Sequence, residues 1–367
     1  MRIFFAGGGT GGHLYPGLAI ARALVALDAE ARPFFVGAKR GIERDVLPTT
    51  EFPHALLDLH PLYRSQPWNN WKTLAGASSA WTALFRIAAK DPPRAVVGTG
   101  GYAAGLALGF AAATGTPLCI QEQNSYPGLT TRVFARWARE VYLGYPEAER
   151  HMPHRGATFV DSGNPIQPPP ATRPDRGAAR RQWGFPTSGG PVLLVYGGSQ
   201  GSRAMNEVLD AWVERGLPPS LHLIWATGKG TFDEFARRDG ACDGRVRVRA
   251  YLSPIADAYA AADFAVTRAG AMTTAELFAW RIPPVLVPLP TAAADHQTSN
   301  AATLEQAGAA VHLPQAQLTV ERLDEVVRAL VADPGRLAAM ADAGARRARP
   351  EAATEIARRV LAVAKGK

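Results

Sequence analysis

Three times in this chain a run of apolar, β-forming residues ends in glycine and passes straight into a helical pattern. The segments are RIFFAGGGTGGH at 2–13, RAVVGTGGYAAG at 94–105 and PVLLVYGGSQGS at 191–202. A buried strand, a tight glycine turn and a helix make the building unit of parallel α/β proteins. RPFFVG, PLCIQEQ and EVYLGY add strand candidates in the first half, and LHLIWATG, RVRVRAYL, DFAVTRAG and PPVLVPLP add them in the second. Between the halves lies a proline-dense stretch, GNPIQPPPATRPD, at 163–175, whose composition suits a semi-rigid connection. The expected architecture is therefore two doubly wound, Rossmann-like α/β domains facing a central cleft, 1–163 and 164–340. An Ala/Arg-rich helical segment, 341–367, follows and can cross back to the first domain.

A length of 367 residues leaves room for two cores. The net charge of +8 points to anionic partners, whether nucleic acid, membrane or nucleotide-sugar. With no lysine-rich tail or RNA-binding signature, nucleic acid is the weakest of the three. Cys119 and Cys242 form no C-x-x-C pair, and His151 with His154 lacks a further ligand, so neither a disulfide framework nor a metal is expected. The uncharged stretch 95–121 is long enough to cross a bilayer. It is interrupted by GTGG and TGTP, however, and reads better as strand, small-residue helix, strand. The N-terminal apolar run is too short for a signal peptide.

Gly7, Gly9 and Gly12 spell G-x-G-x-x-G, the dinucleotide-binding fingerprint. That chemistry also wants an acid at the end of the second strand for the ribose diol, and RPFFVG ends at Gly37 without one. NAD is disfavoured. No loop carries the Walker lysine. Exposed amides at three helix starts are instead ready anion sites. A fourth element, TRAGAMTTAE at 267–276, has the makings of a nucleotide-diphosphate cradle. Arg268 and the helix start can meet phosphates, and Glu276 can accept from both ribose hydroxyls. Asp295, His296, Gln297 and Asn300 form a polar cluster suited to sugar hydroxyls.

GGGTGGHLYP, GTGGY, QEQNSYPG, GNPI, YGGSQGS, RAGAMTTAE and DHQTSNA occur here in that order. In this the chain resembles the MurG family of bacterial glycosyltransferases, from residue 3 to about 310. The resemblance implies a GT-B fold, a UDP-N-acetylglucosamine donor and inverting transfer to the muramyl 4-hydroxyl of undecaprenyl-linked lipid I, giving lipid II for peptidoglycan. It implies no cofactor, and peripheral work on the cytoplasmic face of the cell membrane, near anionic inner-leaflet lipids and other wall-synthesis proteins. On the donor side it implicates Asn124, Gln167, Ser199, Tyr251, Leu252, Arg268, Ala271, Met272, Thr273, Glu276, His296 and Gln297. The loops at Gly11–Gly12 and Gly100–Gly101 would hold the acceptor diphosphate, and Thr10, His13, Tyr102 and Glu122 would line the reacting centre. Two positions depart from the family pattern: Gln167 stands where many relatives have Arg, and Gln121 replaces the usual His.

UDP leaves readily if fixed donors meet its developing charge, and the acceptor hydroxyl needs a general base. His13 is the first candidate, since histidine titrates near working pH, and Glu122 is the rival. Residues 62–94 hold five basic residues, one acid and three tryptophans. On a helix, Trp71, Trp81 and Phe85 share a stripe beside Lys72 and Arg86. That stripe suits either anionic lipid or packing on the sheet, and the loop ending at Trp68 is the better candidate for dipping into lipid. Rival readings are a UDP-N-acetylglucosamine 2-epimerase, a transferase with another acceptor, and a non-catalytic nucleotide-sugar binding protein.

Overall fold

The computed structural model describes residues 1–60, 68, 70–154, 156–198 and 200–366, the side chains of 70–75 and 77 excepted. The chain divides into two compact units, Met1–Gln167 with Arg349–Lys367, and Pro168–Ala348. The first boundary thus follows Gln167 rather than residue 163. The return comes at Arg349 rather than 341, because the helix Pro334–Arg347 packs within the second unit, with Gly344 against the Phe278 ring.

In the first unit seven parallel strands run β1 (Arg2–Gly7), β2 (Arg32–Ala38), β3 (His54–Leu57), β4 (Ala95–Gly100), β5 (Leu118–Glu122), β6 (Glu140–Leu143) and β7 (Thr158–Asp161). Their spatial order is β3-β2-β1-β4-β5-β6-β7. Helices cover both faces, so from Ile3 onward β1 is apolar rather than alternating. Phe4 packs with Leu84 and Leu108 on one face, while Ile3 and Phe5 meet Leu14 and Leu18 on the other. The second face is completed by the helix Ala352–Ala364, which buries Ile356, Val360 and Leu361 there. Arg359 clamps Glu140 with two hydrogen bonds of 2.8 Å, and Arg349 meets Asp161 at 2.7 Å.

The helix Asn70–Lys90 packs on the sheet through Ala80, Leu84 and Ala88. Trp81 lies 5.2 Å from Phe85, which in turn meets Phe110 edge-on at 5.0 Å. The stripe therefore does pack inward at its C-terminal part, while Phe85 and Arg86 keep substantial exposure. Trp68 is 71% exposed. The side chains of Trp71 and Lys72, and the loop before Trp68, lie outside the described residues. Stretch 95–121 is β4, the helix Ala104–Thr114 and β5. No helix among the described residues is long and apolar enough to cross a membrane.

The second unit holds β8 (Val192–Tyr196), β9 (His222–Ala226), β10 (Val246–Arg249), β11 (Phe264–Thr267), β12 (Pro284–Leu286) and β13 (Val311–His312), in the order β10-β9-β8-β11-β12-β13. Both sheets reverse direction of growth beside their first strand, between β1 and β4 and between β8 and β11. Ligands of open α/β sheets bind at the carboxyl ends of the strands at such points. All the glycine-rich loops singled out in the sequence lie there.

Candidate active site

In the first unit the register of β1 on β4 slips at the end of the strands, from Ala6 opposite Gly98 to Gly7 opposite Gly100. The residue gained is Thr99, whose hydroxyl donates to the His13 carbonyl at 2.7 Å. The helix Gly11–Leu27 starts beside it, and the N–H groups of His13 and Leu14 turn back onto the Thr10 carbonyl. That leaves the amides of Gly11 and Gly12 ahead of the first helical bond, where an anion is favoured. Thr10 makes no side-chain cap; its hydroxyl lies 3.1 Å from His13 Nδ1 instead. The imidazole lies against the next loop: a Cβ on Gly100 would stand 2.8 Å from His13 Cδ2. Gly101, with φ +76°, comes so close to the Gly8 carbonyl that a Cβ there would be 2.1 Å away. Tyr102 reaches across to donate to the Arg40 carbonyl at 2.7 Å. Thr10, Gly11, Gly12, His13, Gly100, Gly101 and Tyr102 are thereby brought together.

Glu122 is not presented like His13. It is 3% exposed. Oε1 accepts from the Asn124 backbone N–H at 3.0 Å and its side-chain amide at 3.3 Å, while Oε2 accepts from Gly128 N–H at 3.1 Å. Burial pushes its carboxyl above the usual range, against these hydrogen bonds. A carboxylate so occupied organises the 124–128 loop, so its placement speaks against the expectation of a base. Gln121, which stands where the family pattern has His, donates to Asn164 Oδ1 at 3.0 Å. Gln167 is exposed at the end of the unit, which also contains Asn124.

The second unit has a cavity of about 320 Å³ lined by Tyr196, Gly198, Tyr251, Leu252, Thr273 and Glu276, among others. Leu252 is buried and Tyr251 is 52% exposed. Ala271, Met272 and Thr273 open the helix Ala271–Ala279, whose N-terminus has no side-chain cap and no acid in its first turn. Burial pushes the Glu276 carboxyl above its usual range. Arg268 departs from the expected phosphate clamp. Nη1 donates to the carbonyls of Val287 and Pro288, and Nη2 to Ser202 Oγ and Gln315 Oε1, both at 2.7 Å. Every one of these acceptors is neutral, so the guanidinium fixes three loops while its charge still acts at the helix start.

His296 Nδ1 lies 2.7 Å from the Ala293 carbonyl, and Gln297 Oε1 accepts from Leu289 N–H at 2.9 Å. Both side chains are half-buried at the start of the helix His296–Gln306. Asn300 leaves the expected cluster: it is fully buried and donates to the Ala269 carbonyl at 3.1 Å. Ser199 lies outside the described residues. Among the described residues no three His, Cys, Asp or Glu side chains gather as a metal site.

The family descriptions "Glycosyltransferase family 28 N-terminal domain" and "Glycosyltransferase family 28 C-terminal domain" match residues 3–143 and 192–356. A protein of Salinibacter ruber named UDP-N-acetylglucosamine--N-acetylmuramyl-(pentapeptide) pyrophosphoryl-undecaprenol N-acetylglucosamine transferase is 42% identical over 99% of this chain and 96% of its own. A Chlorobium limicola protein of the same name is 36% identical over the whole of both chains. The chain belongs to this transferase family. The crystal structure of Acinetobacter baumannii MurG superposes with a TM-score of 0.77 at 26% identity, covering 98% of this chain and 99% of that one. The two Rossmann-like units are accordingly those of a GT-B glycosyltransferase.

In this family 28 glycosyltransferase, several residues that shape the site carry no sequence signal. Glu43 is fully buried behind the first glycine loop, where a Cβ on Gly8 would stand 2.1 Å from its Oε1. Tyr259 and Tyr196 stand behind Glu276, and Gln315 holds Arg268. None lies within a motif except Tyr196, whose glycine neighbours drew the attention instead.

Proposed function

We propose that this chain transfers N-acetylglucosamine from UDP-N-acetylglucosamine to the muramyl 4-hydroxyl of undecaprenyl-linked lipid I, with inversion, forming lipid II. What carries this reading is near-full-length kinship with transferases of that name, at 42% identity in the Salinibacter ruber case. The second unit takes the donor. Uracil occupies the cavity beside Tyr251 and Leu252, Glu276 accepts from the ribose, and the amides at Ala271, Met272 and Thr273 meet the diphosphate. His296 and Gln297 read the sugar, with Asn124, Gln167 and Ser199 as further donor contacts.

The first unit takes the acceptor, its diphosphate on the amides of Gly11, Gly12, Gly100 and Gly101. His13 draws the proton from the 4-hydroxyl through Nε2, with Nδ1 held by Thr10. As the C1–O bond to UDP breaks, negative charge grows on the β-phosphate. Preorganised amides and the Arg268 charge stabilise it, the kind of contribution that dominates many enzymatic rates. In this reading no cofactor or metal takes part. Tyr102 closes the acceptor loop. The protein works peripherally at the cytoplasmic face of the membrane, where the exposed Trp68, Phe85 and Arg86 meet anionic lipid. Its product serves wall growth, cell shape and division, in company with other wall-synthesis proteins.

The test is UDP release from UDP-N-acetylglucosamine with and without a lipid I analogue. Acceptor-dependent release supports the transferase, and acceptor-independent release would favour an epimerase. Co-sedimentation with anionic but not neutral vesicles, weakened in Trp68→Ala, tests the membrane reading.

A further inference from the structure

Three side chains on three elements of the second unit form a single file beneath its cavity. Tyr196 ends β8, Tyr259 lies in the helix Ile255–Ala261, and Glu276 lies in the helix Ala271–Ala279. Tyr259 donates to Glu276 Oε2 at 2.9 Å, and the two tyrosine hydroxyls are 2.9 Å apart. A phenol has one proton to give. Tyr259 commits its proton to the carboxylate, so between the tyrosines it is Tyr196 that donates. The file therefore has a direction, from Tyr196 through Tyr259 to Glu276.

Both ends of the file line the cavity and its middle does not. The tyrosines are 7% and 3% exposed, so their hydroxyls are largely shielded from bulk water. A glutamate's terminal torsion is broad and nearly two-fold, and burial by itself does not set the plane of the carboxylate. One hydrogen bond to Oε2 does, and it leaves Oε1 for a ligand. Burial pushes the Glu276 carboxyl up toward its neutral form, and the Tyr259 hydrogen bond opposes this.

We propose that Tyr259, backed by Tyr196, is a positioning residue that aligns the Glu276 carboxylate for the ribose diol and thereby sets selectivity for ribonucleotides over deoxyribonucleotides. The proposal rests on the reading of Glu276 as the ribose acceptor.

The experiment is calorimetric titration of the full chain with UDP and with 2′,3′-dideoxy-UDP. In Tyr259→Phe, UDP binding is expected to weaken about tenfold, the order of one hydrogen bond to a charged group, with dideoxy-UDP little changed. Tyr196→Phe should show the same pattern at about two- to threefold, since Tyr259 still donates without it. It also carries the test if Tyr259→Phe does not fold. Equal losses for both ligands, or none, would overturn the proposal. Glu276→Ala separates the two layers. If it weakens both ligands equally, the ribose reading falls and the proposal with it. If it weakens UDP alone while the tyrosine variants do not, only the proposal falls.

Discussion

The Glu43 carboxylate accepts the backbone N–H of Gly9 at 2.8 Å, and its other oxygen accepts from Ala38 N–H at 3.3 Å. The glycine loop of the first unit is thus held from behind by a buried carboxylate, and neither Gly8 nor Gly41 could carry a Cβ without displacing it. Replacing Glu43 by Ala strands these two amides, and the buried Ala38 N–H alone costs about 1–3 kcal/mol when unpaired. Thermal unfolding should therefore occur several degrees lower. The acceptor kcat/KM should fall about tenfold or more while UDP affinity stays unchanged. Equal loss of UDP affinity would refute the assignment of this loop to the acceptor.

His13→Ala is expected to lower kcat by about 10²–10⁴, the usual contribution of a general base, without changing UDP affinity. Thr10→Val should reproduce part of that loss, since the hydroxyl contact to Nδ1 is then gone, and Thr10→Ser should restore it. Steady-state kinetics on the three variants checks both points, and a Thr10→Val enzyme with wild-type kcat would dismiss the hydroxyl's role.

Glu122 gives a pH signature. Its folded carboxyl titrates above the usual range, so the folded chain holds that proton more tightly than the unfolded one. Its stabilising contribution is complete below the ordinary carboxyl pKa of about 4.3 and shrinks as pH rises through the raised value. Denaturant unfolding of wild type and Glu122→Gln across that window should show the wild-type advantage narrowing with rising pH. A widening gap would contradict the buried, organising role.

Ile356 is fully buried in the core of the first unit, more than the length of the second unit away in sequence. Ile356→Ala should destabilise by about 2–5 kcal/mol. Hydrogen exchange should report the loss in β1 and β4 and not in β8 and β11. Uniform loss across both sheets would show that the two units do not unfold separately.

Much of the fold was legible because the central strands announce themselves locally. Ile3, Phe4 and Phe5 are apolar in succession since both faces of β1 are covered, and glycine follows at each switch point. β3, β7 and β13 were not legible. Each is an edge strand of two to four residues, flanked on one side only, and such strands carry little pattern. In the site, backbone-built features such as Gly11, Gly12 and the start of the Ala271 helix could be read from glycine and helix-start chemistry. Side chains that act through tertiary contacts could not. Glu43 and Tyr259 sit in unremarkable sequence, and the sequence does not reveal that both Glu122 oxygens accept hydrogen bonds. Nor does it reveal that neutral acceptors on three loops hold the Arg268 guanidinium.

The return of Arg349–Lys367 to the first unit has a consequence for biosynthesis. The ribosome delivers Met1–Gln167 first, yet the pocket between Leu14, Leu18 and Leu24 stays uncovered until Ile356, Val360 and Leu361 have been made. Domains generally fold as units during synthesis, so here the half translated last-but-one can finish before the half translated first. A chain cut before Arg349 would leave that apolar groove open, so the first unit is completed only by residues made after the whole of the second.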